Sequence, residues 1–160
     1  MDPFEALGLP RSWPVDPLEV RSAQRRLTAS WHPDRFPDPA QRSGAQERLA
    51  QVNEAAARLL DPLGSAQALL EVLAPSPRPA EPKPAPTFLA AMMEIREAID
   101  GGGDRAAALA EVAALRAHAE ADARGAFTAL AAGSQAAWNA AAEAVGRLRA
   151  LRRAEEGAAA

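Results

Sequence analysis

The chain has 160 residues, a net charge of −3 and no cysteine. The absence of thiols excludes disulfides, thiolate metal sites and a cysteine nucleophile. The charge is −2 over residues 1–72 and −1 over residues 73–160, without the basic excess of a nucleic-acid binder. Alanine supplies 42 residues, and no stretch alternates β-branched with polar residues. The composition therefore predicts an all-α protein. No apolar run approaches the roughly 20 residues of a membrane span, and no signal pattern opens the chain, so we expect a cytoplasmic protein without a membrane partner.

The first 73 residues contain four helical patterns. A short one, PFEALGL, closes at Gly8. Asp16 is a suitable N-cap in front of Pro17, and this predicts a helix from Pro17 to about Trp31. A third helix is expected over residues 39–60. The pair Asp61-Pro62 ends it and starts a fourth over residues 62–73.

The clearest boundary is the segment 74–86, which holds six of the 14 prolines. Proline removes a backbone donor and biases the preceding residue towards extended geometry. We therefore interpret the segment as a semi-rigid linker. The alternative is a long surface loop within one domain. The linker interpretation gives a first domain over residues 1–73 and a second over residues 87–156.

The second domain contains three helical patterns. The first begins at a Thr87 cap and stops at the run Gly101–Gly103. The second is alanine-rich and extends from Asp104 to about Leu130, and the third covers about 135–155 after a stop and new cap at Gly133-Ser134. Three helices with short connections predict a small antiparallel bundle.

The tripeptide His32-Pro33-Asp34 lies where the second helix must end, because proline cannot continue it. A helical wheel places a core face opposite a basic face; the core face is Val20, Ala23, Leu27 and Trp31, and the basic face is Arg21, Arg25 and Arg26. His32 could be a metal ligand, a general base or a structural loop residue. The sequence nearby shows no ligand spacing and no nucleophile. We therefore interpret the tripeptide as a recognition tip beside a basic helix.

The stretch VRSAQRRLTASWHPDRF, followed by VNEAAARLLDP, resembles a J-domain. The resemblance implies that His32, Pro33 and Asp34, with the basic face of Arg21, Arg25 and Arg26, dock on a DnaK-class chaperone and stimulate its ATP hydrolysis. Exposed charges of this kind steer encounter and give salt-sensitive affinity.

The opening MDPFEALGLP, the stretch DPLGSAQALLEVL and the short helical second domain resemble the HscB family, J-type co-chaperones of iron–sulfur cluster biogenesis. The resemblance covers nearly the whole chain except the linker and the final residues. The eukaryotic form of the family has an additional cysteine-bearing N-terminal segment, and the resemblance here is to the form without it, so we expect a bacterial protein. The family implies two partners, the DnaK-class chaperone HscA and the scaffold protein IscU, and no cofactor.

The helix from Phe88 carries a second face outside its expected core. Phe88, Met92, Ile95 and Ile99 share the core face, whereas Leu89 and Met93 lie roughly 90–130° away, with Ala90, Glu94 and Glu97 continuing that side. An apolar pair edged by carboxylates is a plausible partner site. The alternative is that Leu89 packs on the linker and Met93 fills a groove against the long helix.

The HscB family pattern matches at Leu89, Met93, Glu94 and Glu97, which implies that these residues bind the scaffold. Two matching positions, Ala90 and Ala150, carry short side chains where the family often has methionine and an aromatic residue. A further acidic position of the family falls at Gly101.

The residue patterns and the family resemblance together leave three hypotheses about function. The first is a non-enzymatic co-chaperone that stimulates HscA and delivers IscU to it. The second is a J-protein that serves a general DnaK-class chaperone with a different client. The third, an enzyme, is disfavoured, because neither the surroundings of His118 nor the glycine run at 101–103 resembles a catalytic or phosphate-binding motif.

Overall fold

A computed structural model describes residues 1–159. Within them the chain forms seven α-helices and one short 3-10 turn, without a strand. The all-α prediction is therefore confirmed. The chain divides into two compact units, residues 1–72 and the residues from Leu73 onward. Over residues 1–159, no helix is both long and apolar enough to span a membrane.

The first unit consists of α1 (Pro3–Leu7), α2 (Pro17–Ser30), α3 (Pro39–Leu60) and α4 (Pro62–Val72). An aspartate caps each of the first three helices, and a proline follows it directly. The aspartate side chain accepts a bond from a free N–H of the first turn, and proline has none to leave unpaired. These caps fix the starts of α2 and α3 at the predicted residues.

Helix α3 is the centre of the first unit, because α1, α2 and α4 all pack against it. Their contact is apolar, and its most deeply buried side chains are Phe4, Leu7, Val20, Val52, Leu69 and Leu70. Each such side chain stabilises the fold by roughly 1.5–3 kcal/mol relative to exposure. The indole of Trp13 donates a hydrogen bond to the carbonyl of Pro62 at 3.1 Å and so fixes the loop before α2 to the start of α4.

The second unit consists of α5 (Pro86–Asp100), α6 (Arg105–Ala131) and α7 (Ala137–Ala159). Ion pairs join Arg116 to Glu155 and Arg147 to Asp122, the latter at 2.7 Å. Of the two α6 residues, the earlier one pairs with the later α7 residue, so the two helices are antiparallel. Their interface is rich in fully buried alanines, including Ala119, Ala123, Ala141 and Ala144. Small residues of this kind allow the helix axes to approach closely.

The proline-rich segment is held against α7 of the same unit. Arg78 lies over the ring of Trp138, 5.9 Å from its centroid. Glu81 accepts from Arg78 at 3.1 Å and from Arg149 at 3.5 Å. The segment is therefore fastened to α7 by one cation–π contact and one ion pair, that of Glu81 with Arg149.

Two predicted helix starts are wrong. Helix α5 begins at Pro86, and its N-cap is Ala85 without a side-chain bond, so Thr87 is not the cap. The fixed φ of proline suits the first helical position, which moves the start one residue upstream of Thr87. Helix α7 begins at Ala137 rather than 135, because residues 135–136 form a turn behind a bond from the Ala137 N–H to the Ser134 carbonyl. It also continues to Ala159, beyond the predicted end near 155.

Candidate functional site

The His32-Pro33-Asp34 tripeptide occupies the connection between α2 and α3. Pro33–Arg35 forms a single 3-10 turn with His32 as its N-cap. The imidazole Nδ1 of His32 accepts from the Asp34 N–H at 3.4 Å, and it lies 3.6 Å from the Asp34 carboxylate. The Asp34 side chain is 90% exposed and free to meet a cationic partner.

The residues around the tripeptide hold this turn in place. Trp31 and Phe36 stack across it with ring centroids 6.0 Å apart and an interplanar angle of 15°. The Arg35 guanidinium donates to the Ala29 carbonyl at 2.9 Å, which ties the turn back to α2. Arg42 of α3 donates to the carbonyl of Phe36 at 3.3 Å. The tip is therefore restrained from both flanking helices before any partner arrives.

The wheel prediction for α2 holds at one end and fails at the other. Val20 and Ala23 are buried, but Trp31 is 37% exposed and belongs to the tip, not to the core. Trp31 is the C-cap of α2 and stacks on Phe36 of the following connection instead. Exposed Arg21, Arg25 and Arg26 form a basic face next to the tip, and among residues 1–159 none of the three has an ion-pair partner.

The second unit carries a groove of about 770 Å³ between α5 and α7. We call it the α5–α7 groove. It is mostly apolar, and apart from Arg153 its α7 wall is built from small residues, Gly146, Ala150, Ala154 and Gly157. The α5 wall contains Phe88, Leu89, Met92, Met93 and Ile99. Leu89 is 48% exposed and Met93 65% exposed, so neither is buried against the linker or the long helix. Met92 and Ile99, expected in the core, are only half-buried because they line the groove.

The structure divides the residues that the family pattern singled out. Leu89, Met93 and Ala150 line the groove together. Ala90, Glu94 and Glu97 are exposed on the adjoining side of α5, outside the groove lining. The sequence interpretation overlooked Arg96 and Arg153, which also line the groove. Positions 146, 150, 153, 154 and 157 share one side of α7 at helical spacing, and that pattern was a usable signal.

His118 is exposed on α6 with its Nδ1 2.9 Å from the Ala114 carbonyl. Over the part of the chain that the structure describes, no three of its His, Asp and Glu side chains are grouped so as to hold a metal ion.

Comparison with known proteins supplies the family. The chain is 36% identical over 115 residues to the "Co-chaperone protein HscB homolog" of Bordetella petrii, covering 69% of this chain and 67% of that protein. Against the homologue from Bordetella pertussis it is 37% identical over 123 residues, with 74% and 70% covered. The chain belongs to the HscB co-chaperone family.

Two further comparisons match only part of the chain. The family model described as "HSCB C-terminal oligomerisation domain" matches residues 84–158, which contain α5, α6 and all but the last residue of α7. A 61-residue stretch, 38% of this chain and 15% of the relative, is 41% identical to "Chaperone protein DnaJ" of Thermotoga neapolitana. This likeness is consistent with the J-domain motif of the first unit.

Two solved HscB structures show the same fold. HscB from Vibrio cholerae superposes with a TM-score of 0.74 at 29% identity, covering 99% of this chain and 96% of that one. Human HscB superposes with a TM-score of 0.78 at 24% identity, covering 99% and 81%, and supports the fold alone. The chain is thus a co-chaperone of the HscB family with a J-type tip and a helical second unit.

Proposed function

We propose that this HscB-family protein stimulates the ATPase of a DnaK-class chaperone, HscA, and delivers the iron–sulfur scaffold protein IscU to it. The observation that carries the proposal is the restrained His32-Pro33-Asp34 tip beside the unpaired basic face of α2. A tip that is already ordered loses little conformational entropy on docking. An ordered, charged tip is therefore suited to brief and repeated encounters with a chaperone.

The tip and the basic face have separate parts in this proposal. Arg21, Arg25 and Arg26 attract an acidic surface on the chaperone and raise the rate of encounter. The exposed Asp34 carboxylate accepts hydrogen bonds from a basic side chain of the chaperone, and Pro33 fixes the backbone beside it. The chaperone performs the hydrolysis, and this chain contributes only the contact that triggers it.

The second unit holds the client in this account. Leu89 and Met93 expose apolar surface at the mouth of the α5–α7 groove, and Glu94 and Glu97 provide a charged edge. Burial of such side chains supplies about 25 cal/mol for each Å² removed from water. A polar edge around an apolar centre is the usual anatomy of a transient interface.

The second candidate function is a J-domain co-chaperone of a general DnaK-class chaperone with a different client. The short side chains of Ala90 and Ala150 favour it, because they reduce the apolar surface available to the scaffold. Both functions predict ATPase stimulation, but only the first predicts scaffold binding.

Calorimetry with the purified scaffold protein of the same organism separates the two functions. The first predicts saturable binding that Met93→Ala combined with Glu97→Ala weakens, with chaperone stimulation in the absence of scaffold unchanged. Absence of binding by the wild-type chain at high micromolar concentration would refute the delivery function and favour the second.

A further inference from the structure

The α5–α7 groove has an uneven charge distribution that its apolar lining does not reveal. Three charged residues line it, namely Arg96, Asp100 and Arg153. Arg96 and Asp100 pair with each other at 3.4 Å along α5 and largely cancel. Arg153 is exposed on α7 and has no ion-pair partner among residues 1–159. The groove therefore presents one uncompensated positive charge, on its α7 wall.

The opposite border of the groove is acidic. Glu97 follows Met93 by four residues and lies roughly 40° further around α5, and Glu94 lies roughly 100° around. Both carboxylates are exposed and have no ion-pair partner in the described part of the chain. A ligand seated on Leu89 and Met93 thus meets negative charge on the α5 side and positive charge on the α7 side.

We propose that the α5–α7 groove binds the client scaffold in a single orientation, through an apolar ridge that carries a carboxylate paired with Arg153 and a basic side chain facing Glu94 and Glu97. The proposal rests on the proposed function and adds to it the chemistry of the client surface. Charges at the border of an apolar contact contribute mainly to orientation and association rate, because they are screened by salt and partly solvated.

The small α7 wall explains why this polarity matters here. Gly146, Ala150, Ala154 and Gly157 offer no side chain that could fix the position of a ligand by shape. A wall of small apolar residues would allow the apolar ridge of the client to bind in either of two opposite directions along the groove. The charge difference between its two borders then distinguishes the two directions.

The test is a charge reversal with a matched control. Calorimetric titrations use the full-length chain, the purified scaffold protein of the same organism, and two salt concentrations, 50 and 300 mM NaCl. Arg153→Glu should weaken binding about fivefold to tenfold at low salt and much less at high salt, because repulsion replaces an exposed attraction. Arg124→Glu makes the same change of charge on exposed α6, away from the groove lining, and should leave affinity within twofold.

Variants of the scaffold protein identify the carboxylate that pairs with Arg153. Exposed carboxylates of the scaffold are changed to lysine one at a time, and one of them should restore the affinity of Arg153→Glu while weakening that of the wild-type chain. Circular dichroism confirms that each variant is folded, and Arg153→Gln provides a milder version of the same change.

Three results would overturn the proposal. Equal affinities of wild type and Arg153→Glu at low salt would remove Arg153 from the interface while leaving scaffold delivery intact. Self-association of the wild-type chain that Arg153→Glu abolishes would make a second copy the occupant of the groove. A wild-type chain that does not bind the scaffold would refute both this proposal and the delivery function.

Discussion

The stacked pair Trp31 and Phe36 gives a prediction about the tip that we propose to bind the chaperone. Trp31 precedes the turn and Phe36 follows it, so the contact between their rings holds the two ends of the turn together. Replacing Trp31 with alanine removes that contact but leaves the bonds from Arg35 and Arg42 in place. The tip should then become more mobile without unfolding.

The size of the effect follows from the contact that is lost. An aromatic pair contributes about 0.5–1.5 kcal/mol beyond its buried area. If that free energy serves to order the tip, its loss weakens docking by roughly twofold to tenfold. The maximal stimulation should be retained, because His32, Pro33 and Asp34, which we propose to trigger hydrolysis, are still present.

The assay measures steady-state ATP hydrolysis by the chaperone as the co-chaperone concentration is raised. Trp31→Ala should raise the concentration that gives half-maximal stimulation, and Trp31→Phe should restore it. Phe36→Ala should have the same effect, and the double variant should be little worse than either single one, because both remove one shared contact.

Additive effects of the two substitutions would refute this reasoning. They would mean that Trp31, at 37% exposure, contacts the chaperone directly instead of positioning the tip. An unchanged half-maximal concentration in Trp31→Ala would show that Arg35 and Arg42 suffice to order the turn.

Two further predictions concern stability. Gly64→Ala should destabilise the first unit by about 1–3 kcal/mol, because the new Cβ would lie 2.7 Å from the Arg58 carbonyl. Gly44→Ala, with nothing within 4 Å of its new Cβ, should be neutral or stabilising. Hydrogen exchange of the α3 and α4 amides measures the stability of both variants, and equal stabilities would contradict the steric argument. Burial raises the pKa of the Asp2 carboxyl, but the Glu5 N–H and the Arg11 guanidinium lower it more, so the pKa lies below its ordinary value of 3.8. The ionised form is thus favoured by folding, and its contribution is present above pH 4 and lost as the pH falls through the folded pKa. Asp2→Asn keeps a capping side chain and should flatten the acid limb of the stability curve below pH 4. An unchanged acid limb would show that Asp2 does not contribute to it.

The sequence was most informative where local chemistry decides structure. Asp16 in front of Pro17 and Asp104 in front of Arg105 satisfy free N–H groups of the first turn whatever the tertiary context, so those helix starts were predictable. The His32-Pro33-Asp34 tip was likewise predictable, because proline must end α2.

The sequence was less informative where a contact joins separate segments. A wheel placed Trp31 in the core, but burial at the end of a helix depends on which other segments cover that end. Here Trp31 stacks on Phe36 and stays 37% exposed. The α5–α7 groove depends on the distance between two helices that the whole of α6 separates in sequence. Leu89 and Met93 were found from one helix alone, whereas Arg153 becomes relevant only once α7 is seen opposite them.

The most direct test of the account is steady-state ATP hydrolysis by the HscA-type chaperone of the same organism, with wild-type protein and with His32→Gln. The account predicts that the wild type accelerates hydrolysis, that addition of the scaffold protein increases the acceleration, and that His32→Gln gives neither effect although its circular dichroism is unchanged. Equal stimulation by the folded variant and the wild type would contradict the assignment of the tip as the chaperone-triggering site.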